Sequence, residues 1–403
     1  MDTQLPDIFQ EKRLLGEAGE KFWRRALAVG LIALAASVAL GFAAGDHGRS
    51  FFFAYAVSFA YVLSLSLGAL FFVVLQHLTR AGWSVVVRRV AEGVAATLPV
   101  LALLFVPILV GLHQLYHWSH AEAVAADHLL HGKSPYLNVP FFVVRWVLYA
   151  VVWGLTVRAF VGRSLAQDAS GAPELSLEMQ KRAAPAMLLF GLTVTFASID
   201  LLMSLDAHWF STIFGVYFFA GSVVGFFALL AVLMLMLQRA GYLRHAVTIE
   251  HYHDIGKLLF AFIVFWAYIG FSQYMLYWYA NIPEETGWFL RRQTNGWGWV
   301  SLLLLFGHFV LPFVALLSRA PKRNRKVLGA VAAWMLVVHW VDLYWIALPE
   351  LRPQDPLPHL VDLTTAVGLV GVWLASAAFI MRKRSLVAER DPRLAESLGF
   401  ENA

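Results

Sequence analysis

The sequence predicts an all-α polytopic membrane protein of ten transmembrane helices, and three observations predict it. The first is composition: of 403 residues, 60% are hydrophobic and 14% charged, with a mean hydropathy of +0.65, whereas a soluble globular chain carries about 25% charged residues. So much apolar surface cannot be hidden in one soluble core, and lipid must solvate the remainder. The second is the recurrence of apolar runs long enough to cross the hydrocarbon layer. The third is the placement of Lys and Arg at the ends of those runs. A soluble enzyme, a secreted disulfide scaffold and a disordered chain are thereby excluded.

The runs fall at 26–44, 51–75, 94–112, 140–161, 186–203, 211–238, 258–280, 297–317, 327–347 and 362–381, together more than half the chain. Backbone exposed to lipid must satisfy its own hydrogen bonds, so runs of this length are helices. Barrel strands are about half as long and alternate polar with apolar residues. The first run follows Lys21, Arg24 and Arg25 as a signal peptide would, but it exceeds the roughly 7–15 residues of a signal core and reads as an uncleaved span. Of the 31 Lys and Arg, 25 fall to one side of the membrane and five to the other when the spans alternate, Arg158 at the end of the fourth span being counted with the loop that follows it, and Arg145 lies deeper within that span. Cytoplasmic segments carry the excess, so both ends are expected in the cytoplasm. The expected organisation is a cytoplasmic segment 1–25, a membrane domain 26–381 and a polar cytoplasmic tail 382–403, with the longest loops at 76–93, 113–139 and 162–185.

There are no cysteines, which removes disulfides, thiolate-bound zinc, iron–sulfur clusters and cysteine-attached haem. No Gly-rich phosphate loop, catalytic Ser/His/Asp order or nucleic-acid motif is present. The basic segment Arg319–Lys326 reads as a topology anchor that can also meet anionic headgroups.

Four stretches carry a family likeness. Residues 196–217 read FASIDLLMSLDAHWFSTIFGVY, 250–286 read EHYHDIGKLLFAFIVFWAYIGFSQYMLYWYANIPEET, 307–312 read GHFVLP and 339–345 read HWVDLYW. In this order they resemble the ActF membrane subunits of alternative complex III, a bacterial quinol:electron-acceptor oxidoreductase, within the NrfD/polysulfide-reductase-like superfamily. The resemblance is sharpest over 190–350. It implies that spans two to five and six to nine form two four-helix bundles, with spans one and ten outside them. It implies the bacterial inner membrane and a paralogous ten-span subunit as neighbour, better placed for quinol oxidation. It further implies periplasmic iron–sulfur and haem c subunits over both. By this resemblance the chain binds no cofactor or metal, the quinol or menaquinol, the clusters and the haems belonging to partners, and it is suspected of carrying protons.

Ionisable groups within spans cost about 2.5–3.5 kcal/mol each on insertion scales, so they face the bundle interior or a hydrated cavity. His253 and Asp254 lead into span seven, with His251 before them and Lys257 after. His308 and His339 lie at mid-depth. Asp342 stands three residues beyond His339 on the same helix face, and Asp200 lies near the outer end of span five. Taken by depth, His253, Asp254, His308, His339, Asp342 and Asp200 form a candidate proton ladder, since imidazoles and buried carboxyls change protonation near neutral pH. Each His can equally well hydrogen-bond a neighbouring helix. Arg145 can form an interhelical ion pair with Asp200 or Asp342. Asp206 and His208 suit a cap before span six, and Asp362 opens span ten.

Other features have plain alternatives. His113, His117 and His120 are spaced for one helix face, near His128 and His131, and suit an amphipathic interfacial helix as well as a metal. The aromatic crowd of span seven, with Gln273 and Tyr274, can receive a quinone headgroup or serve as aromatic belt and bundle core. Gly41–Gly45 and Gly221–Gly225 have the spacing of close helix contacts.

Overall fold

The computed structural model describes residues 7–402. Ten helices in it are long and apolar enough to cross a membrane. They are α1 (Gly16–Ala43), α2 (Arg49–Leu78), α3 (Val85–Val110), α4 (Val139–Ser170), α5 (Glu174–Leu205), α6 (Phe214–Arg239), α7 (Ile249–Ala280), α8 (Trp297–Leu316), α9 (Arg325–Glu350) and α10 (Leu360–Met381). No named strand occurs among the described residues. Several helices outrun their apolar cores. α7 begins at Ile249 rather than 258, with Thr248 capping it, and α3 begins at Val85 inside a segment whose charges suggest a loop. α3 is interrupted near Pro99 and Pro107, because proline lacks the N–H that continues the helical ladder.

α2 packs on α3 and α5, and α4 on α5 and α3. α6 packs on α7 and α9, with α8 against α7 and α9. These are the two four-helix bundles, joined along α2 and α6. At that seam a side chain on Gly68 would collide with the Ser222 carbonyl. α1 and α10 lie outside the bundles and run along each other, with α10 also on α2. Their contact is built from small residues: a Cβ on Gly30 would stand 2.7 Å from the Val372 nitrogen, and one on Gly371 2.8 Å from the Gly30 Cα. The Ser37 and Thr365 hydroxyls are hydrogen-bonded across the same seam. Close backbone approach of this kind substitutes in lipid for the hydrophobic drive of water. Gly41–Gly45 does not act as a helix-contact pair: Gly41 abuts Phe51, and Gly45 lies past the end of α1 at φ +75°.

The basic face of the molecule is closed by both terminal segments. Arg88 and Arg89 of α3 are buried with Glu92. Arg88 pairs with Glu92 at 3.2 Å and Asp391 at 2.5 Å, and Arg89 with Glu92 at 2.9 Å and Asp168 at 2.5 Å. Ser397 accepts from the Val86 N–H and donates to the Trp83 carbonyl, while its own carbonyl accepts from His251. The polar tail is therefore a strap across Trp83 and the ends of α3 and α7. The earlier segment joins it, with Glu389 on Arg13 and Glu11 accepting from the His245 and Ala246 N–H groups. In the basic loop, Lys322 is buried and donates to the Leu316 and Leu317 carbonyls at the end of α8, and burial lowers its ammonium pKa.

Candidate functional site in the second bundle

Three titratable side chains meet inside the second bundle. His308 of α8 and His339 and Asp342 of α9 are all buried, with ligating atoms within 4.8 Å of one another. The i, i+3 spacing puts His339 and Asp342 on one face of α9, and that face meets α6 at Gly221 and Gly225. A Cβ on Gly225 would stand 2.7 Å from His339 Cδ2, and one on Gly221 3.2 Å from Cε1. The Gly221–Gly225 pair thus makes room for an imidazole. His308 arrives by a different device. Residues Leu304–Val310 form a π-helical turn just before Pro312, and the Trp334 indole donates to the Gly307 carbonyl within it at 2.7 Å. Such turns re-aim side chains and recur at functional sites.

The hydrogen bonds fix the arrangement. The Ser64 hydroxyl donates to the Tyr61 carbonyl at 2.7 Å, so at 2.8 Å it accepts from His339 Nε2. That assigns the Nε2–H tautomer and leaves His339 Nδ1 bare, with no partner. Tyr217 donates to Asp342 Oδ1 at 2.5 Å, and the Trp266 indole N–H to Oδ2 at 3.2 Å. Trp266 also stacks on His308 with ring centroids 3.8 Å apart. Both His308 nitrogens lack a partner. Among the described residues no Lys or Arg pairs with Asp342, so its carboxyl meets neutral donors alone. Two imidazoles with free nitrogens and a carboxyl, separated by no more than one bridging water, can exchange a proton.

Tyr217 and Trp266 have a second side. With Gln273, Tyr274, Trp299 and Trp345 they line a cavity of about 810 Å³ between α7, α8 and the short helix Pro283–Arg291. Gln273 is buried and its Oε1 has no partner; Tyr274 is partly exposed and meets Phe289 edge-on. The roof is pinned by Arg292. It is wholly buried, lies 3.4 Å over the Trp288 ring, and donates to the Trp288, Trp345 and Ile346 carbonyls and to Glu350. Burial pushes its pKa down to about 9, with Glu350 opposing.

The other ladder positions lie elsewhere. Asp200 belongs to the first bundle, where Arg145 grips both its oxygens at 2.8 and 2.9 Å and Tyr149 donates at 2.8 Å. Arg145 also lies over the Tyr136 ring and donates to its carbonyl, so of the two partners open to it, Asp200 is the one it takes. His253 and Asp254 are buried at the basic end of α7, Asp254 paired with Lys257. Thirteen residues, about 20 Å of helix, separate His253 from Trp266. Asp206 does not cap α6, which starts at Phe214. It accepts from the His208 and Trp209 N–H groups and pairs with Arg291, while His208 meets Asp127 at 2.6 Å. Asp362 caps α10 and pairs with Arg352 at 2.6 Å. His113, His117 and His120 are split among short turns rather than one helix face, although the His113 and His120 rings stand 5.2 Å apart.

Sequence reasoning missed Tyr217 and Ser64, and it placed Trp266 in the aromatic crowd of span seven without its bond to Asp342. Tyr217, Gly221 and Gly225 recur every fourth residue, one stripe of a helix, and that stripe was the signal available. No protein-family profile matches the chain, and no curated protein matches it.

Proposed function

We propose that this chain is a membrane subunit of a bacterial respiratory quinol:cytochrome c, or other periplasmic acceptor, oxidoreductase of the alternative complex III type, and that it moves protons rather than electrons. The observation that carries the proposal is a convergence. The four stretches of family likeness are far apart in sequence, yet they supply Tyr217, Trp266, His308, His339 and Asp342, which meet at one cluster. In this function Asp342 takes and releases a proton at mid-membrane, Tyr217 and Trp266 hold its carboxylate, and His308 and His339 pass the proton on. His253 and Asp254 mark the cytoplasmic uptake side. Arg145 and Asp200 fix the first bundle. The proposed setting is the inner membrane with both ends cytoplasmic, beside a paralogous ten-span subunit and under iron–sulfur and haem c subunits that carry the redox centres.

The test uses the assembled complex in sealed vesicles, with quinol oxidation and proton release measured together. Asp342→Asn and His339→Gln should keep turnover and lose transmembrane charge movement. Retention of both in every cluster variant would leave the chain a structural anchor for the redox subunits. A second function, contact with a quinone, is favoured by one observation: the 810 Å³ aromatic cavity with the unpartnered Gln273 amide and Tyr274 at its wall. Photolabelling by an azidoquinone should then mark α7 near Tyr274, and a lipid-filled, unlabelled cavity would remove it.

A further inference from the structure

α4 carries two arginines with opposite fates. Arg145 is buried and finds a carboxylate, two aromatic faces and a carbonyl within the protein. Arg158 lies thirteen residues on, about 20 Å along the same helix; it is exposed, and no described residue pairs with it. Arg158 stands at the end of the apolar run 140–161, where a guanidinium reaches the headgroup layer and is open to an acceptor from outside the chain.

The surroundings of Arg158 say what that acceptor is. It lines a groove of about 460 Å³ between α4 and α5, on the half toward the basic face. Arg163 and Arg182 line the same groove. Arg163 is committed to Glu178 at 2.9 Å, whereas Arg182 is exposed and also lacks a partner among the described residues. Glu178 lies one turn from Arg182 and feels its charge, but its close ion pair is with Arg163, so the Arg158 and Arg182 guanidiniums make no direct ion pair among the described residues. The floor is apolar, made by Leu155, Ala159, Ala186 and Leu189, and Pro185 interrupts the α5 ladder beside it. Leu155 and Leu189 are themselves largely exposed, as lipid-facing residues are. Planar forks of Arg match phosphate oxygens in pairs, and an apolar trough running away from them suits a hydrocarbon chain.

We propose that the α4–α5 groove is a specific site for one anionic phospholipid, its phosphate held by Arg158 and Arg182 and an acyl chain laid against Leu155, Ala186 and Leu189. A free phosphate would use the guanidiniums but not the trough, and a zwitterionic lipid would bring its own cation to the pair.

The test uses the full chain in neutral-detergent micelles, titrated with dioleoylphosphatidylglycerol or dioleoylphosphatidylcholine, with bound lipid counted by native mass spectrometry. The wild type should hold one phosphatidylglycerol, with roughly tenfold preference over phosphatidylcholine. R158Q/R182Q should lose the preference, and A186W should lose the bound lipid with every charge intact. E178Q frees Arg163 and should strengthen binding, a gain that a misfolded variant could not give. Excess inorganic phosphate should leave the lipid in place. Equal binding of the two lipids by the wild type, an unchanged preference in R158Q/R182Q, or displacement by inorganic phosphate would overturn the proposal.

Discussion

Tyr217 of α6 donates its hydroxyl hydrogen to Asp342 of α9 across 2.5 Å, and it does so from the wall of the 810 Å³ cavity in the second bundle. One phenol therefore belongs both to the buried acid and to the aromatic cavity. Tyr217→Phe keeps the ring and removes the donor. A buried acceptor left short of a partner costs about 1–3 kcal/mol, so thermal unfolding in detergent should shift down accordingly. In vesicles the same variant should slow proton release more than quinol oxidation.

The glycines opposite His339 make a graded prediction. A methyl group at Gly225 falls 2.7 Å from the imidazole, and one at Gly221 falls 3.2 Å away. Overpacking a tight contact costs typically about 1–3 kcal/mol. Melting temperatures should follow the order wild type, Gly221→Ala, Gly225→Ala. Only the last should also impair charge movement, because it must displace His339 from Ser64.

Arg145 and Asp200 are expected to serve stability rather than transfer. Removing either partner leaves an uncompensated buried charge, at a cost of about 3–5 kcal/mol. Asp200→Asn should unfold at lower temperature, and Arg145→Met with Asp200→Leu should recover most of the loss. Proton release per quinol in the double variant should match the wild type; a fall in that ratio would return Asp200 to the proton path.

Asp127 sits in a loop of the face opposite the basic one, outside the spans. The His208 side chain and the Leu130 and Leu129 N–H groups hold its carboxyl below the ordinary range. A depressed carboxyl stabilises the fold above the unfolded value near 3.9, and that contribution vanishes as pH falls through the folded value. Hydrogen-exchange protection at residues 128–133 should therefore be lost as pH falls below about 4. Asp127→Asn should exchange quickly at pH 5 already and show little further change.

The spans were legible in the sequence because a long apolar run has one stable form in lipid. His339 and Asp342 were legible as neighbours because three residues on a helix fix a shared face. The meeting with His308 was not, since it depends on a π-turn that shifts the register of α8. Depth along each span also misled. It ranked Asp200 with Asp342, yet depth says nothing of lateral position, and α5 lies in the other bundle. Tyr217 and Trp266 were hidden among 59 aromatic residues, where a hydrogen-bonding role leaves no mark in composition. Arg88, Arg89 and Glu92 read as a loop because charge ends an apolar run, whereas in the fold they neutralise one another inside a helix.

The strap formed by residues 385–402 bears on the order in which the chain matures. Arg88 enters the membrane early, with the third helix, but Asp391 leaves the ribosome only after all ten helices have been made. Until then Arg88 has Glu92 alone, which it shares with Arg89. The latch across α3 and α7 can close only once residues 391–397 have emerged, so a nascent chain stalled before residue 391 would hold its helices in place with its basic face still undone, a form open to quality-control proteases.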